Sequence, residues 1–127
     1  MNVYKEEILD HFHNPRNYGQ LIGAKNSATA ENPSCGDKIR IDIAIKNDIV
    51  TDIKFSGEGC AISQAAASLL TEYVKGKKRT VLKKMEKTAM LQLLGLELSP
   101  TRLRCGLLAL ETLHKAINTN QQPITND

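Results

Sequence analysis

The sequence predicts an α+β fold: a three-stranded antiparallel sheet with helices packed on one face. Three observations carry that prediction. Residues 38–46, KIRIDIAIK, alternate between apolar and mostly polar positions. Residues 49–55 repeat the same period of two after an Asn47-Asp48 turn, as a hairpin requires. Beyond Cys60 the period lengthens to that of helices and stays there, so strands and helices are segregated along the chain rather than alternating.

The first element is a short amphipathic helix from Val3 to Phe12, in which Tyr4, Ile8 and Phe12 recur every fourth residue and Pro15 ends the pattern. Arg16 to Asp37 is rich in Asn, Gly, Ser and Pro and reads as loop with one edge strand near Ala24 to Ala30. In the hairpin, Ile39, Ile41, Ile43 and Ile45 form the buried face of the first strand, opposite Lys38, Arg40, Asp42 and Ala44. Ile49, Thr51, Ile53 and Phe55 are the matching face of the second. Gly57-Glu58-Gly59 closes it.

A helix then starts after Cys60, with Ala61, Ala65, Leu69 and Tyr73 or Val74 on one face. Its run of Ala65, Ala66, Ala67 and Ser68 permits close approach to the sheet, and Gly76 stops it. Thr80 caps a further helix running to Leu94 and halted by Gly95. Ser99-Pro100 opens the last one, with Leu103, Leu107, Leu110, His114 and Ile117 down one side. No linker or internal repeat divides the chain, so residues 1–127 are expected to form one domain with a frayed polar tail over 119–127.

Composition excludes several functions. The chain has 127 residues, 41% hydrophobic and 24% charged, within the range of folded domains rather than disordered ones. A net charge of +3 with 4% aromatic residues is a poor basis for nucleic-acid binding. No apolar run approaches the roughly 20 residues of a membrane span, and the amino terminus lacks the basic-then-apolar pattern of an export signal. With an odd count of three cysteines, a cytoplasmic location with thiols that are inert, reactive or metal-bound is the expectation. There is no phosphate-binding loop, dinucleotide fingerprint or nucleophile elbow.

The cysteines sit at element boundaries: Cys35 in a Cys-Gly-Asp loop before a strand, Cys60 between glycines and a helix start, Cys105 early in the last helix. With Asp37 they make three thiolates and one carboxylate, a chemically complete tetrahedral set for Zn2+. Because oxygen is a harder donor than sulfur, such a site is suited to exchange. Spacing alone does not assemble it, since 24 residues separate Cys35 from Cys60 and 44 separate Cys60 from Cys105. The alternative is three small buried hydrophobes. His11 and His13, two apart on a helix, point in different directions and read as solvent-facing; His114 reads as a packed, hydrogen-bonded histidine. Seven basic residues between Lys75 and Lys87, against Glu86 alone, fit either a solvated face or a docking surface for an acidic partner.

The segments DHFHNPRNYG, ENPSCGD and GEGCAISQAAASLL, with the Arg104-Cys105 helix, resemble the NifU-like iron–sulfur cluster assembly family, nearest its SUF-type members and next its ISC-type members. The resemblance covers residues 3 to 118 and implies the sandwich just described. It also implies that Cys35, Asp37, Cys60 and Cys105 bind the metal or cluster. In SUF-type relatives they hold zinc, and the Cys-Gly-Asp cysteine, here Cys35, takes persulfide sulfur from a PLP-dependent cysteine desulfurase and passes it to downstream iron–sulfur assembly or acceptor proteins. In ISC-type relatives the same ligands surround Fe2+ or a transient [2Fe–2S] cluster. Two departures stand out. Where relatives carry His or Lys before the last cysteine, this chain has Arg104, which stays protonated and cannot ligate. It also lacks the SUF-type insertion of about twenty residues ahead of that cysteine, an addition that folds tolerate easily.

Overall fold

The computed structural model describes residues 6–33 and 36–119. Tyr4, Cys35 and residues 120–127 lie outside them. The elements are, in order, α1 (Glu6–His13), β1 (Asn26–Asn32), β2 (Asp37–Lys46), β3 (Ile49–Glu58), α2 (Ala61–Val74), α3 (Arg79–Lys83), α4 (Lys87–Leu94) and α5 (Pro100–Thr119). The sheet is antiparallel with order β1-β2-β3, and α2 and α5 cover one face, as the sequence predicts. No described helix is long and apolar enough to cross a membrane.

Ile39, Ile41 and Ile43 project from β2 into the core, each fully buried, beside Ile53 and Phe55 of β3. Asn47 and Asp48 both adopt positive φ, 54° and 68°, the requirement of the two-residue turn that joins Lys46 to Ile49. Near this turn the simple alternation fails. Ala44 pairs with Asp52 but Ile45 pairs with Val50, leaving Thr51 as an extra residue on β3. This bulge turns Val50 into the core, fully buried, and leaves Thr51 and Ile49 exposed, the reverse of the expected faces. A bulge leaves no mark in composition; it is selected because it keeps Val50, Ile53 and Phe55 on one side.

Asp42, expected on the wet face, is 1% exposed. Ser27, its cross-strand neighbour, donates to Oδ1 at 2.5 Å, Arg40 Nε donates to the same oxygen at 3.0 Å, and the Leu21 N–H donates to Oδ2 at 3.0 Å. Burial pushes this carboxyl up, but those donors outweigh it and hold it below the usual Asp value.

α2 is buried almost all round, including every residue from Ala65 to Thr71. Small side chains let it lie between the sheet on one side and α1 and α5 on the others. Its buried hydroxyls are satisfied: Thr71 donates to the Ser68 carbonyl at 2.8 Å, and Ser68 Oγ accepts the Arg16 N–H at 2.8 Å. Ser68 Oγ also lies 2.6 Å from His11 Nδ1. His11 is therefore not solvent-facing but 3% exposed, with Nε2 3.6 Å from Glu72 Oε1. Of the expected apolar face of α1, Ile8 is buried but Phe12 is 36% exposed, and His11 takes the inward place because its partner Ser68, 57 residues away, lies under that side of the helix. His114 is packed as expected, Nε2 3.2 Å from the Leu82 carbonyl oxygen.

The single helix expected from Thr80 to Leu94 is two, broken over Lys84 to Glu86. At about 100° per residue, a continuous helix would swing Met90 and Leu94 roughly 80° and 120° away from Leu82. The break lets all three be fully buried. On α5 the leucine stripe identifies only one margin of the buried arc. Of that stripe Leu110 and Ile117 are buried and Leu103, Leu107 and His114 half-buried, while the interior is also lined by Cys105, Ala109, Thr112, Leu113 and Ala116. The arc is wide because α5 packs on β1 and β2 as well as on α2 and α4. Ser99 caps it as expected, its Oγ accepting the Arg102 N–H at 3.3 Å.

Candidate metal centre

One end of the sheet gathers the start of β2, the end of β3, the first residue before α2 and the second turn of α5. Asp37 is the first residue of β2, paired with Asn32 across the tight connection from β1. It is 1% exposed, and its Oδ1 accepts the Cys60 N–H at 3.0 Å. Cys60 occupies the N-cap position of α2 with extended backbone and makes no capping bond through its side chain. The Asp37 carboxylate thus meets the unpaired amide end of a helix, where negative charge is favoured.

The Cys60 thiol lies 3.6 Å from Asp37 Oδ2 and 3.9 Å from Ser63 Oγ. Cys105, 4% exposed, approaches from α5 with its thiol 4.0 Å from the Thr101 carbonyl oxygen. The donor atoms of Asp37, Cys60 and Cys105 all lie within 4.8 Å of one another. A tetrahedral zinc with sulfur at about 2.3 Å needs donors some 3.5 to 3.8 Å apart. The Cys60–Asp37 pair at 3.6 Å already meets this, and small rotamer adjustments bring in Cys105.

Two glycines make the arrangement possible. Gly59 has φ +149°, and a Cβ placed there would collide with the Asp37 carboxylate and stand 2.8 Å from Ser63 Oγ. Gly57, φ +151°, lies against the Lys38 carbonyl, so a side chain would push β3 off β2 just where Asp37 enters the sheet. Ser63, fully buried and donating to the Cys60 carbonyl at 3.1 Å, is absent from the sequence-based expectation. Its only sequence signal is a hydroxyl three residues into a helix that follows a cysteine.

Of the four expected ligands, the structure brings Asp37, Cys60 and Cys105 together; Cys35 lies outside the described residues. Arg104 is exposed and lines an open cleft of about 1340 Å3 between β1, the start of α4 and α5. None of the three gathered donors lines that cleft.

The class of protein defined here is a small α+β sheet-and-helix domain with thiol and carboxylate side chains gathered at one end of its sheet. The chain belongs to the NifU-like N-terminal domain family, whose pattern matches residues 3–126. Similar proteins include the zinc-dependent sulfurtransferase SufU of Bacillus subtilis strain 168, 36% identical over an alignment 132 positions long that spans 91% of this chain and 89% of that protein. They also include the iron–sulfur cluster assembly scaffold protein IscU of Aquifex aeolicus, 40% identical over 116 residues that cover 90% and 73%. Among solved structures, an assembly scaffold described for the SUF system of Fervidobacterium islandicum AW-1 superposes with a TM-score of 0.77 at 29% identity, covering 91% of this chain and 97% of that one. The N-terminal part of a NifU-like protein from Brucella abortus, at 22% identity and a TM-score of 0.75, shares the fold.

Proposed function

We propose that this chain serves iron–sulfur cluster assembly as a zinc-dependent sulfur acceptor, taking persulfide sulfur from a PLP-dependent cysteine desulfurase onto Cys35. The observation that carries the proposal is the convergence of Asp37, Cys60 and Cys105 donor atoms within 4.8 Å. Cys35 would complete the set, since two residues of chain, at most about 7 Å, tie it to Asp37. The donors fit zinc: two placed sulfurs and a buried carboxylate oxygen, in a pocket kept clear by Gly59. Similarity to a protein named as a zinc-dependent sulfurtransferase supports the same reading.

Bound zinc would keep its thiolate ligands deprotonated near neutral pH. Cys60, at the N-cap of α2, and Cys105, within α5, would hold the metal from two separate elements. Asp37 would supply the oxygen donor, the one a borderline-soft metal holds least firmly, two residues along the chain from Cys35. The Cys35 thiolate attacks the outer sulfur of the desulfurase persulfide. A new bond forms from Cys35 Sγ to that sulfur, the old sulfur–sulfur bond breaks, and the desulfurase cysteine leaves as thiolate. The persulfide proton travels with the transferred sulfur, and no external oxidant or reductant enters the balance.

A second reading, that the same residues carry a [2Fe–2S] cluster under construction as cargo, is favoured by the short connection ahead of Cys105 and by similarity to proteins named as scaffolds. Incubation with a cysteine desulfurase and cysteine, followed by intact-mass and peptide mass spectrometry, tests the acceptor assignment. A chain one sulfur heavier, with the addition on the Cys35 peptide and absent from Cys35→Ser, is expected. Sulfur on Cys60 or Cys105, or none at all, would overturn it.

A further inference from the structure

The geometry points to a docking surface, at the end of the sheet opposite the metal donors, that takes an acidic polypeptide segment. Its framework is the β2–β3 turn and α3, held together by backbone bonds. The Arg79 N–H donates to the Asp48 carbonyl at 2.8 Å, the Val50 N–H donates to the Lys77 carbonyl at 2.9 Å, and Ile49 and Lys78 form an antiparallel bridge. Lys46 pairs with Ile49 from the other side, so Lys46, Ile49 and Lys78 lie in one row across three neighbouring segments.

Some cations of the 75–87 run are used within the fold. Lys75 is 3.4 Å from Asp52, Arg79 is 3.4 Å from Asp48, and Lys77 sits 4.4 Å above the Tyr73 ring. Lys78, Lys83 and Lys84 are exposed and form no salt bridge among the described residues, nor does Lys46. The same segments carry two exposed apolar side chains, Val81 of α3 at 51% and Ile49 of the β2–β3 turn at 37%. A surface kept only for solubility intersperses the two signs and hides its branched aliphatics. Here four exposed lysines share the β2–β3 turn and the α3 segment with two exposed apolar side chains, complementary to a segment that carries carboxylates and an apolar residue or two.

The same details disfavour other anions. The one guanidinium of the patch, Arg79, is tied to Asp48, leaving lysines that act as point charges without bidentate phosphate recognition. The Tyr73 face is covered by Lys77 and is unavailable for stacking on a base. α3 is five residues long, too short to lay an apolar face into a bilayer surface.

Position gives the surface its consequence. β2 runs from Asp37 at the metal end to Lys46 at the lysine end, and nine residue steps span about 30 Å. A partner held here leaves the metal donors uncovered, so docking and metal exchange proceed together rather than in competition.

Fluorescence anisotropy with a labelled twelve-residue Glu/Leu peptide as probe tests this on the full chain, metal-loaded and metal-free. Binding is expected to be equal in the two forms and to weaken about tenfold as salt rises from about 50 to about 300 mM. Both Lys78→Gln/Lys83→Gln/Lys84→Gln and the corresponding Glu triple variant should bind at least about tenfold more weakly, and Val81→Ser should weaken binding further. Wild-type affinity in both triple variants would overturn the assignment. So would displacement of the peptide by metal loading, or tighter binding to duplex DNA or to phosphatidylserine vesicles than to the peptide.

Discussion

Replacement of Gly59 by Ala probes the site through its backbone. At φ +149° an L-residue sits in a region occupied almost solely by glycine, at a cost of about 1 to 3 kcal/mol. The new Cβ also meets the Asp37 carboxylate, which must shift and release the Cys60 N–H it accepts at 3.0 Å. A lost hydrogen bond to a buried charged group adds about 1.5 to 3 kcal/mol. The sum, about 2.5 to 6 kcal/mol, is a large share of the roughly 5 to 15 kcal/mol that stabilises a domain. With a urea m-value of about 1.5 kcal/mol/M, the midpoint of the metal-free chain should fall by about 2 M or more. In an Asp37→Ala background the same substitution should lose only the backbone term, giving a coupling of about 1.5 to 3 kcal/mol. The Ser63 contact is present in both backgrounds and cancels. A midpoint within about 0.3 M of wild type, or the same shift in both backgrounds, would refute the claim that Gly59 is there to admit the carboxylate.

Other expectations follow from the same geometry. Asp37→Ala, which removes the oxygen donor, should slow loss of bound metal or cluster to a chelator; equal or faster loss contradicts the lability assigned to that oxygen. Cys35→Ser should abolish acceleration of a cysteine desulfurase while leaving the far-UV circular dichroism unchanged, and full acceleration would remove Cys35 from the acceptor role. Burial first, and the Arg16 charge second, hold His11 below its usual value of 6.5. The folded form therefore binds fewer protons than the unfolded one, so this contribution is complete above pH 6.5 and is lost as pH falls toward the lowered folded value. His11→Gln should flatten the stability–pH curve just below 6.5; an unchanged slope there would place the titration elsewhere.

What could be read from the sequence, and what could not, divides along a physical line. Local periodicity identifies the hairpin, because Ile39, Ile41 and Ile43 need only their own strand to declare a face. The Ser99 cap and the small-residue helix after Cys60 are legible for the same reason. Thr51 is not, since a bulge is chosen by the register of two strands together. Nor is the break at Lys84 to Glu86, where burial of Leu82 with Met90 and Leu94 overrides a good helical run.

The site follows that division. Cys60 and Asp37 stand out in sequence by their glycines and loop ends, but only packing of α5 against α2 brings Cys105 to them. Gly59 is visible as a helix-flanking glycine, yet its contact with a carboxylate 22 positions earlier is a tertiary fact. His11 fails in the opposite direction, since neighbours on its own helix gave no hint of Ser68.

The most direct measurement is elemental analysis with visible absorption of the chain purified without oxygen, alongside Cys60→Ala and Cys105→Ala variants. The account predicts close to one zinc per chain, no visible-region colour, and loss of that zinc in either variant. A wild-type chain that carries no metal, or variants that keep the full complement, would contradict it.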